Sequence, residues 1–574
     1  MRGHLQQGRG ELVTGWLLAA LATAVYLLTM NRSVDWWDCG EFIATSYGLQ
    51  VGHPPGAPLY QLLARCVMML SFGNPLWVAP LGNGLSALCG GLTVMVLYRT
   101  CRELRLSPAG AAVGALCYLF CDTVWFSAVE SEVYAMAMLF CSLDVWLALR
   151  WRRTADSRLP LLLAFLFGLG LCVHLMTLLA LPAVLWIGFG GLKERHSKSK
   201  IQNSRFIISF FLLGLTPYAV LPIRSAAHPP IDQMEGDFAA YIKREQYDQA
   251  PLYPRLWRER DRENWAAWGV SDPESVPDNA KYYAAYQLGY MYLRYVMYNF
   301  IGRENLAYNP DREGFSPFNI RYPLFIVPFL LGLWGMVVLR RRRSGGGGRG
   351  AVLLLFLFGG VLLNFYLNHP CYEPRERDYA YVLSFYAFAV WIAAGADTAW
   401  RGGRWLRVLA VAAPLTLALG NWPDHDRSRN TLPRDIAAAH LDECAPDAIL
   451  ITYGDNDTYP LWYLQQVERM RPDVELLNIN LTGYYEVRDL LAANDFRRPV
   501  YLTRYTYEAL GAYFPGTGRR VGFCWRLFPC GEAFEAAEAD ALDFHNHLFT
   551  NQKGYIDPLS RAFLDAYRMW ADEN

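Results

Sequence analysis

The sequence predicts a mainly α-helical protein that crosses a membrane many times and carries a small soluble α/β domain at its C-terminal end. Three observations support this fold class. The chain of 574 residues is 53% hydrophobic and 15% aromatic. Its apolar residues are concentrated in long runs, and its character changes to that of a soluble domain after Trp422. Its 53 basic and 53 acidic residues balance, and no basic stripe indicates a nucleic-acid partner.

The apolar runs define the predicted membrane bundle. A helix that crosses a hydrocarbon core of about 30 Å needs about 17 apolar residues or more. Eleven runs are candidates: 12–30, 76–98, 108–127, 133–149, 159–173, 175–191, 206–223, 322–339, 351–367, 379–397 and 405–420. The prediction is therefore a polytopic bundle of about 11 spans.

The connections between these runs alternate in charge. Basic residues accumulate on the cytoplasmic side of membrane proteins. With the N-terminus inside, the basic connections are those that contain Arg99, Arg150, Lys193, Arg340 and Arg401. The other connections are predicted to lie outside. The membrane domain is then 1–421, with outer loops at 31–75 and 224–321, and the α/β domain is 422–574.

Three segments need a specific interpretation. Residues 57–71 are apolar but short, so we expect a re-entrant or surface-lying helix. The runs 159–173 and 175–191 are predicted to form a hairpin with His174 at its outer tip. The last run, 405–420, contains Arg407, whose long side chain is expected to reach back to the cytoplasmic edge.

The soluble domain is predicted from alternating strand and helix patterns. Its elements are a strand at Ala448–Tyr453, a turn at 454–457, a helix at Tyr459–Arg471 and a strand at Val474–Ile479. In the turn, Asp455 and Asp457 are candidate site residues. Capping of the following helix is the main interpretation of the turn, and metal binding is the alternative.

The first outer loop carries the most informative residues, in the segment DWWDCGEFIATSYGLQVGHPPGAPLY at 35–60. Asp35, Asp38 and Glu41 follow directly on the first apolar run. Removing carboxylates from water at a membrane costs free energy, so a cluster of them is a functional candidate by default. A solvated loop is the alternative.

If the outer connections meet, further candidates join these three carboxylates. They are Glu130, Glu132, Tyr134, His53, His174, Arg224, Arg294, Arg375, Arg377 and Asp378. A carboxylate can take the proton of a hydroxyl nucleophile, and cations can stabilise a departing phosphate. The set suits sugar transfer from a lipid phosphate. A proton-coupled transporter would need carboxylates at the middle of spans, where only Asp122 and Asp144 lie.

Several of these candidates have a structural alternative. Asp35 could cap the first span. Glu130 and Glu132 could act on the dipole of the helix that follows them. His174 could be a hydrogen-bonded structural histidine, and residues 375–378 could form an internally paired turn. These alternatives remain open at the level of the sequence.

Seven segments, in order between residues 35 and about 480, resemble a known family. They are the loop segment above, VESEVYAM, LPIRSAAHPPI, REQY, PRERDYAYVLSFYAFAVW, NWPDHDRS and ILITYGDNDTYPLWYLQQVE. Together they resemble the bacterial membrane glycosyltransferases long catalogued as a domain of unknown function. That family is similar to the eukaryotic plexin-modifying transmembrane protein O-mannosyltransferase. Many bacterial members carry a long C-terminal extension beyond the position of Asn574.

The resemblance implies a GT-C fold, a polyprenyl-phosphate sugar donor and transfer to Ser or Thr of exported proteins. It places Asp38 at the catalytic-base position, supported by Glu41. The expected donor-phosphate residues are His53, His174, Arg224, Arg375 and Arg377. We expect an inverting O-mannosyltransferase in a bacterial inner membrane with a periplasmic active site, and neither a cofactor nor a metal. A transferase acting on lipid or surface polysaccharide and a transporter of polyprenyl-linked sugars are the alternatives.

Overall fold

The structure is a computed structural model of the chain. It describes residues 2–194, 204–234, 239, 241, 250–258, 262–302, 326–341, 347–371, 376–514 and 516–529. In this part of the chain, helices form the bulk of the molecule and a five-stranded sheet lies near the C-terminal end. The predicted fold class, a mainly α-helical membrane bundle with a small α/β domain, is confirmed.

Each predicted apolar run is helical where it is described. Among the described residues, six helices are long and apolar enough to cross a membrane: Gly10–Thr29, Pro75–Glu103, Val133–Thr154, Gly348–Leu367, Asp378–Arg401 and Arg404–His425. Two bent helix pairs raise this number to eight if each pair is one span. Leu159–Leu171, Leu175–Gly188 and Ile326–Arg341 are shorter apolar helices within the remaining runs. The count of eleven spans stays a prediction.

The third predicted run is broken instead of continuous. Its helices, Pro108–Leu119 and Asp122–Ala128, are bent by 65°. Three side chains bind carbonyl groups on the two sides of the break: Tyr26 at Leu119, Asn421 at Phe120 and His425 at Asp122, each at 2.8 Å. Backbone groups at membrane depth need such partners because no water reaches them. The apolar pattern gave no sign of this break.

The seventh run is also bent, by 44° between Phe206–Gly214 and Thr216–Ser225. Pro217 is the second residue of the second part, where its missing N–H interrupts the helical hydrogen bonds. The short apolar segment after the first outer loop forms the helix Pro58–Met68, which buries Tyr60 and Ala64 against the bundle. The other helices of the outer connections are Cys39–Gly48, Arg262–Ala267, Val276–Tyr282, the π-helical Tyr283–Leu293 and Arg294–Phe300.

The connections meet at two opposite ends, as the predicted alternation requires. At the basic end, Arg102 pairs with Glu11, Arg153 with Glu103 at 2.6 Å, and Ser107 donates to Asp397 at 3.0 Å. At the other end, Arg427 binds Asp35 and Glu130, Gln233 binds Glu41, and Thr123 binds Asp378. The predicted outer connections are therefore brought together in space.

The soluble domain is built on five strands: β1 (Ile449–Thr452), β2 (Glu475–Asn478), β3 (Val500–Thr503), β4 (Thr517–Val521) and β5 (Cys524–Phe528). Their order is β2-β1-β3-β5-β4. Strand β1 is parallel to both β2 and β3, whereas β5 is antiparallel to β3 and β4. The domain's helices are Leu432–Glu443, Asp455–Tyr463, Ile479–Thr482, Tyr484–Asn494 and Arg504–Leu510.

Candidate active site

The first outer loop is a turn followed by the helix Cys39–Gly48. Asp38 stands at the N-cap position, and its side chain makes no capping hydrogen bond. The described residues donate no hydrogen bond to its carboxylate. Asp38 is partly exposed. Asp38 therefore differs from its two buried neighbours, Asp35 and Glu41.

Asp35, by contrast, is part of a buried ion cluster. Arg427 Nη1 lies 3.1 Å from Asp35 Oδ2 and 3.1 Å from Glu130 Oε2. All three side chains are almost fully buried, and the guanidinium also lies 4.0 Å from the centre of the Phe126 ring. Asp35 and Glu130 thus compensate the charge of a buried cation, a contact that the sequence analysis did not anticipate for either residue.

Glu41 is completely buried and is held by two neighbours. Its Oε1 accepts from the His53 backbone amide at 2.7 Å and from Gln233 Nε2 at 2.8 Å. Its Oε2 pairs with Nδ1 of the His53 imidazole. Glu41 therefore fixes the segment that begins the His53-Pro54-Pro55-Gly56 turn, and it is not presented to substrate as Asp38 is.

The same pairing sets the charge of His53. Burial alone would lower the pKa of His53, but the Glu41 carboxylate, with Asp38 and Asp455 nearby, raises that pKa to about 10. The imidazole is therefore a cation at neutral pH. The side chain is 36% exposed, so its Nε2–H can face a ligand.

His174 has the opposite protonation state. Its Nδ1 accepts a hydrogen bond from the Met176 amide at 3.1 Å. Burial, together with the positive charge of His53, lowers the pKa of His174 to about 4. The ring is thus neutral, and since Nδ1 is an acceptor, the proton lies on Nε2. His174 combines a structural contact with one remaining hydrogen-bond donor.

A row of contacts connects His174 with Arg377. The Tyr134 ring lies 5.5 Å from the His174 ring and 4.8 Å from the Tyr379 ring. The Tyr379 hydroxyl accepts from Arg377 Nη1 at 2.7 Å. Asp38, Glu41, His53, His174, Tyr134 and Arg377 therefore belong to one region of the outer end.

Two acidic residues beside Arg377 bind side chains of other helices. Glu376 binds Arg294 at 2.6 Å, and Asp378 accepts from Thr123 at 2.5 Å. Asp378 is therefore tied to the break in the third run. Arg375 lies outside the described residues.

Two further candidates, Arg224 and Glu132, make hydrogen bonds with other parts of the protein. The guanidinium of Arg224 donates to the carbonyl oxygens of Leu49 and Gly48, at the C-terminal end of the loop helix. Glu132 is buried at the N-cap of Val133–Thr154, and its backbone groups bind the Ser86 hydroxyl. Neither residue is placed beside Asp38 by these contacts.

The α/β domain contains two candidates: Asp455 lies near the site, and Asp457 is buried within the domain. Asp455 is exposed and lies close enough to His53 to raise its pKa. Asp457 is buried and accepts from the Tyr453 amide at 2.9 Å and from the Thr503 hydroxyl. Burial raises the pKa of Asp457 to about 7. In the described residues, no three His, Cys, Asp or Glu side chains converge as a metal site would need.

Sequence reasoning missed three residues of this region. Arg427 was contained in the segment NWPDHDRS but was not recognised as the partner of the acidic loop. Gln233 and Asn456 carry no charge and follow no pattern that marks them. One signal could have identified Arg427: buried carboxylates need a buried cation beside them.

Two family models match the chain. The protein O-mannosyl-transferase TMEM260 N-terminal domain matches residues 38–198. The TMEM260-associated domain 2 matches residues 433–485. The first match begins at Asp38, and the second contains the turn with Asp455.

Two curated relatives agree with these matches. The chain is 33% identical to the protein O-mannosyl-transferase TMEM260 of Mus musculus over 234 residues, which cover 39% of this chain and 33% of the mouse protein. It is 22% identical to the protein O-mannosyl-transferase tmem260 of Dictyostelium discoideum over 553 residues, which cover 85% of this chain and 63% of that protein. The chain therefore spans less than two thirds of the length of these relatives.

A solved structure shows the same fold. The Archaeoglobus fulgidus oligosaccharyltransferase in its apo form superposes with a TM-score of 0.50 at 11% identity, covering 88% of this chain and 71% of that protein. Two segments of the chain, 38–198 and 433–485, are thus similar to the TMEM260 N-terminal domain and to TMEM260-associated domain 2, and the helical membrane bundle that holds them has a GT-C-type fold.

Proposed function

We propose that this protein is an inverting membrane glycosyltransferase that moves mannose from a polyprenyl-phosphate donor to Ser or Thr of exported proteins. The observation that carries the proposal is the state of Asp38. Of the three loop carboxylates, Asp35 and Glu41 are buried and bound to protein partners, whereas Asp38 is partly exposed. It lies beside a cationic and a neutral histidine.

The proposed reaction assigns the base to Asp38. Its carboxylate takes the proton of the acceptor hydroxyl, whose oxygen attacks the anomeric carbon from the face opposite the phosphate. The bond between that carbon and the phosphate oxygen breaks, and the lipid phosphate leaves with the electron pair. General-base assistance of this kind contributes about two to four orders of magnitude in rate.

The histidines are assigned to the departing phosphate. His53 is kept cationic by Glu41, so it offers a charge-assisted hydrogen bond to an anion. His174 offers a neutral N–H, and Arg377 lies at the end of the Tyr134–Tyr379 row. Donors fixed before the reaction stabilise charge that develops on the leaving group.

The membrane location supports a lipid-linked donor. The loop with Asp38 follows directly on the helix Gly10–Thr29, so a lipid headgroup at the surface would meet it. The names of the two relatives describe protein O-mannosyl-transferases. We assign the protein to a bacterial inner membrane, with the site on the periplasmic side.

The test is the rate of purified Asp38→Asn protein with polyprenyl-phosphate mannose and a Ser/Thr peptide. The amide keeps the shape of the side chain and removes the base, so we expect a loss of about 10²- to 10⁴-fold. Asp489→Asn, on the exposed surface of the α/β domain, is the matched control. A normal rate in Asp38→Asn would refute the assignment. Transfer to lipid or glycan acceptors alone would favour the polysaccharide alternative.

A further inference from the structure

The α/β domain packs directly against the helix that begins at Asp38. The helices Cys39–Gly48 and Asp455–Tyr463 touch along their length. Contacts follow in the same order on both segments: Trp37 with Asn456, Gly40 with Tyr459, and Gln50 with Gln466 at 3.0 Å. The two helices therefore lie side by side, with their N-terminal ends together.

The contact at Gly40 is made between backbones. A Cβ atom at Gly40 would lie 2.5 Å from the Tyr459 carbonyl oxygen and 3.0 Å from the Pro460 nitrogen. Backbone atoms cannot move aside as a flexible side chain can. Two residues from Asp38, the loop helix is therefore in contact with the α/β domain at a distance that only glycine permits.

The backbone at Trp37 is unusual. Its φ is 57°, a left-handed conformation that is a genuine outlier for a bulky residue. Such a conformation persists only where the surroundings hold it. The Trp37 amide donates to Asn456 Oδ1 at 2.6 Å, so a side chain of the α/β domain binds the residue that directly precedes Asp38.

We infer that Asn456 is a positioning residue for Asp38. It acts through the Trp37 amide, holds the left-handed turn and thereby sets where the Asp38 carboxylate meets the acceptor hydroxyl. The α/β domain then contributes a residue that positions the reaction centre. This inference rests on the proposed function, because it concerns the base of that reaction.

Three variants test the inference in the full-length protein. Asn456→Ala removes the acceptor, and since displacement of a reacting group by about 1 Å can cost 10²-fold, we expect kcat to fall about 10- to 100-fold with little change in the KM for donor. Asn456→Asp keeps an acceptor oxygen and should recover most of the loss. Asn480→Ala is the matched control, because Asn480 Oδ1 accepts from the Gly454 amide at 2.8 Å in the same turn but does not touch the loop.

Amide hydrogen exchange of the segment 33–42 gives a readout that is independent of activity. We expect faster exchange in Asn456→Ala and wild-type exchange in Asn480→Ala. Equal effects of both variants on kcat and exchange would overturn the inference, as would a change confined to the KM for acceptor.

Asp38→Asn, measured alongside, separates the two claims. Full activity of Asp38→Asn would refute the proposed base. An inactive Asp38→Asn with a fully active Asn456→Ala would refute only the positioning role.

Discussion

The carboxylate of Glu41 holds both the backbone and the imidazole of His53. One oxygen accepts from the His53 amide at 2.7 Å, and the other pairs with Nδ1. The pair gives the first outer loop a fixed cation and leaves Asp38 as its accessible carboxylate. The two acids of the segment WDCGE therefore have different environments, one bound to His53 and one partly exposed.

Glu41→Gln should lower the transfer rate and change its pH dependence. The amide can still accept from the His53 backbone, but it removes the charge that holds the imidazole protonated. A hydrogen bond to a charged group contributes about 1.5–3 kcal/mol, so we expect about a 10- to 100-fold loss. The alkaline limb of the pH–rate profile should move to lower pH. Glu475→Gln, at an exposed pair with Arg498, is the control, and an unchanged profile in Glu41→Gln would contradict the role.

The stability of the protein should fall at alkaline pH because of His53. Its pKa is raised from 6.5 to about 10 in the folded protein. The folded state therefore binds a proton that the unfolded chain releases between these values. The contribution is complete below about 6.5 and is lost as the pH rises through about 10. Thermal unfolding in detergent, from pH 6 to pH 10, should show a steeper decline for the wild type than for His53→Gln. Parallel curves would count against this linkage.

Arg427→Met should destabilise the protein strongly. It leaves the carboxylates of Asp35 and Glu130 buried without their cation, and breaking a buried ion pair costs about 3–5 kcal/mol. Replacement of both acids as well, in Asp35→Asn/Glu130→Gln/Arg427→Met, should recover much of the loss. Arg488→Ala, from an exposed pair with Asp489, should change stability by about 1 kcal/mol or less. Thermal unfolding of the purified variants gives the comparison, and equal midpoints for Arg427→Met and Arg488→Ala would contradict it.

Gly40→Ala should separate the loop helix from the α/β domain. The added Cβ would meet the backbone of Tyr459 and Pro460, and overpacking of this kind costs about 1–3 kcal/mol. Transfer should weaken while the protein still inserts in the membrane. Gly403→Ala is the control, because its Cβ would meet no atom within 4 Å. Wild-type activity in Gly40→Ala would show that the two segments are not held together as the structure has them.

Much of this architecture could be predicted because hydrophobic length and charge are local properties. The runs, the alternation of basic connections and the strands at Ile449–Thr452 and Glu475–Asn478 follow from composition and periodicity. The acidic loop could be found because carboxylates are costly at a membrane. Which acid is accessible could not be predicted, because that depends on partners distant in sequence.

Arg427 and Gln233 illustrate this limit. Arg427 is 392 residues from Asp35, and Gln233 is 192 residues from Glu41. Contacts between residues so far apart in the sequence give no signal in the local pattern of apolar and charged residues. The break near Asp122 is similar. The carbonyl groups beside it are bound by Tyr26 in the first run and by Asn421 and His425 at the end of the helix Arg404–His425, all distant in sequence.

The last span decides on which side of the membrane the α/β domain lies. Arg404–His425 is a continuous helix of 22 residues, and Arg407 Nε donates to the Trp400 carbonyl at 2.9 Å. The guanidinium of Arg407 therefore lies toward the basic end, as expected for a long side chain near the end of a span. The apolar residues that follow it can then cross the membrane. The α/β domain then shares the outer end with Asp38.

Thiol labelling in intact cells tests this topology. Cys66 and Cys530 are replaced by Ser, and single cysteines are introduced as Tyr485→Cys, at a side chain that is 66% exposed in the α/β domain, or Thr154→Cys, at the basic end. If the helix crosses, an impermeant reagent should label only Tyr485→Cys before the inner membrane is opened. If Tyr485→Cys were labelled only after opening, the domain would lie in the cytoplasm. The contacts of Asn456 with Trp37 and of Tyr459 with Gly40 would then require the first outer loop to be cytoplasmic too, and the proposed periplasmic site would be ruled out.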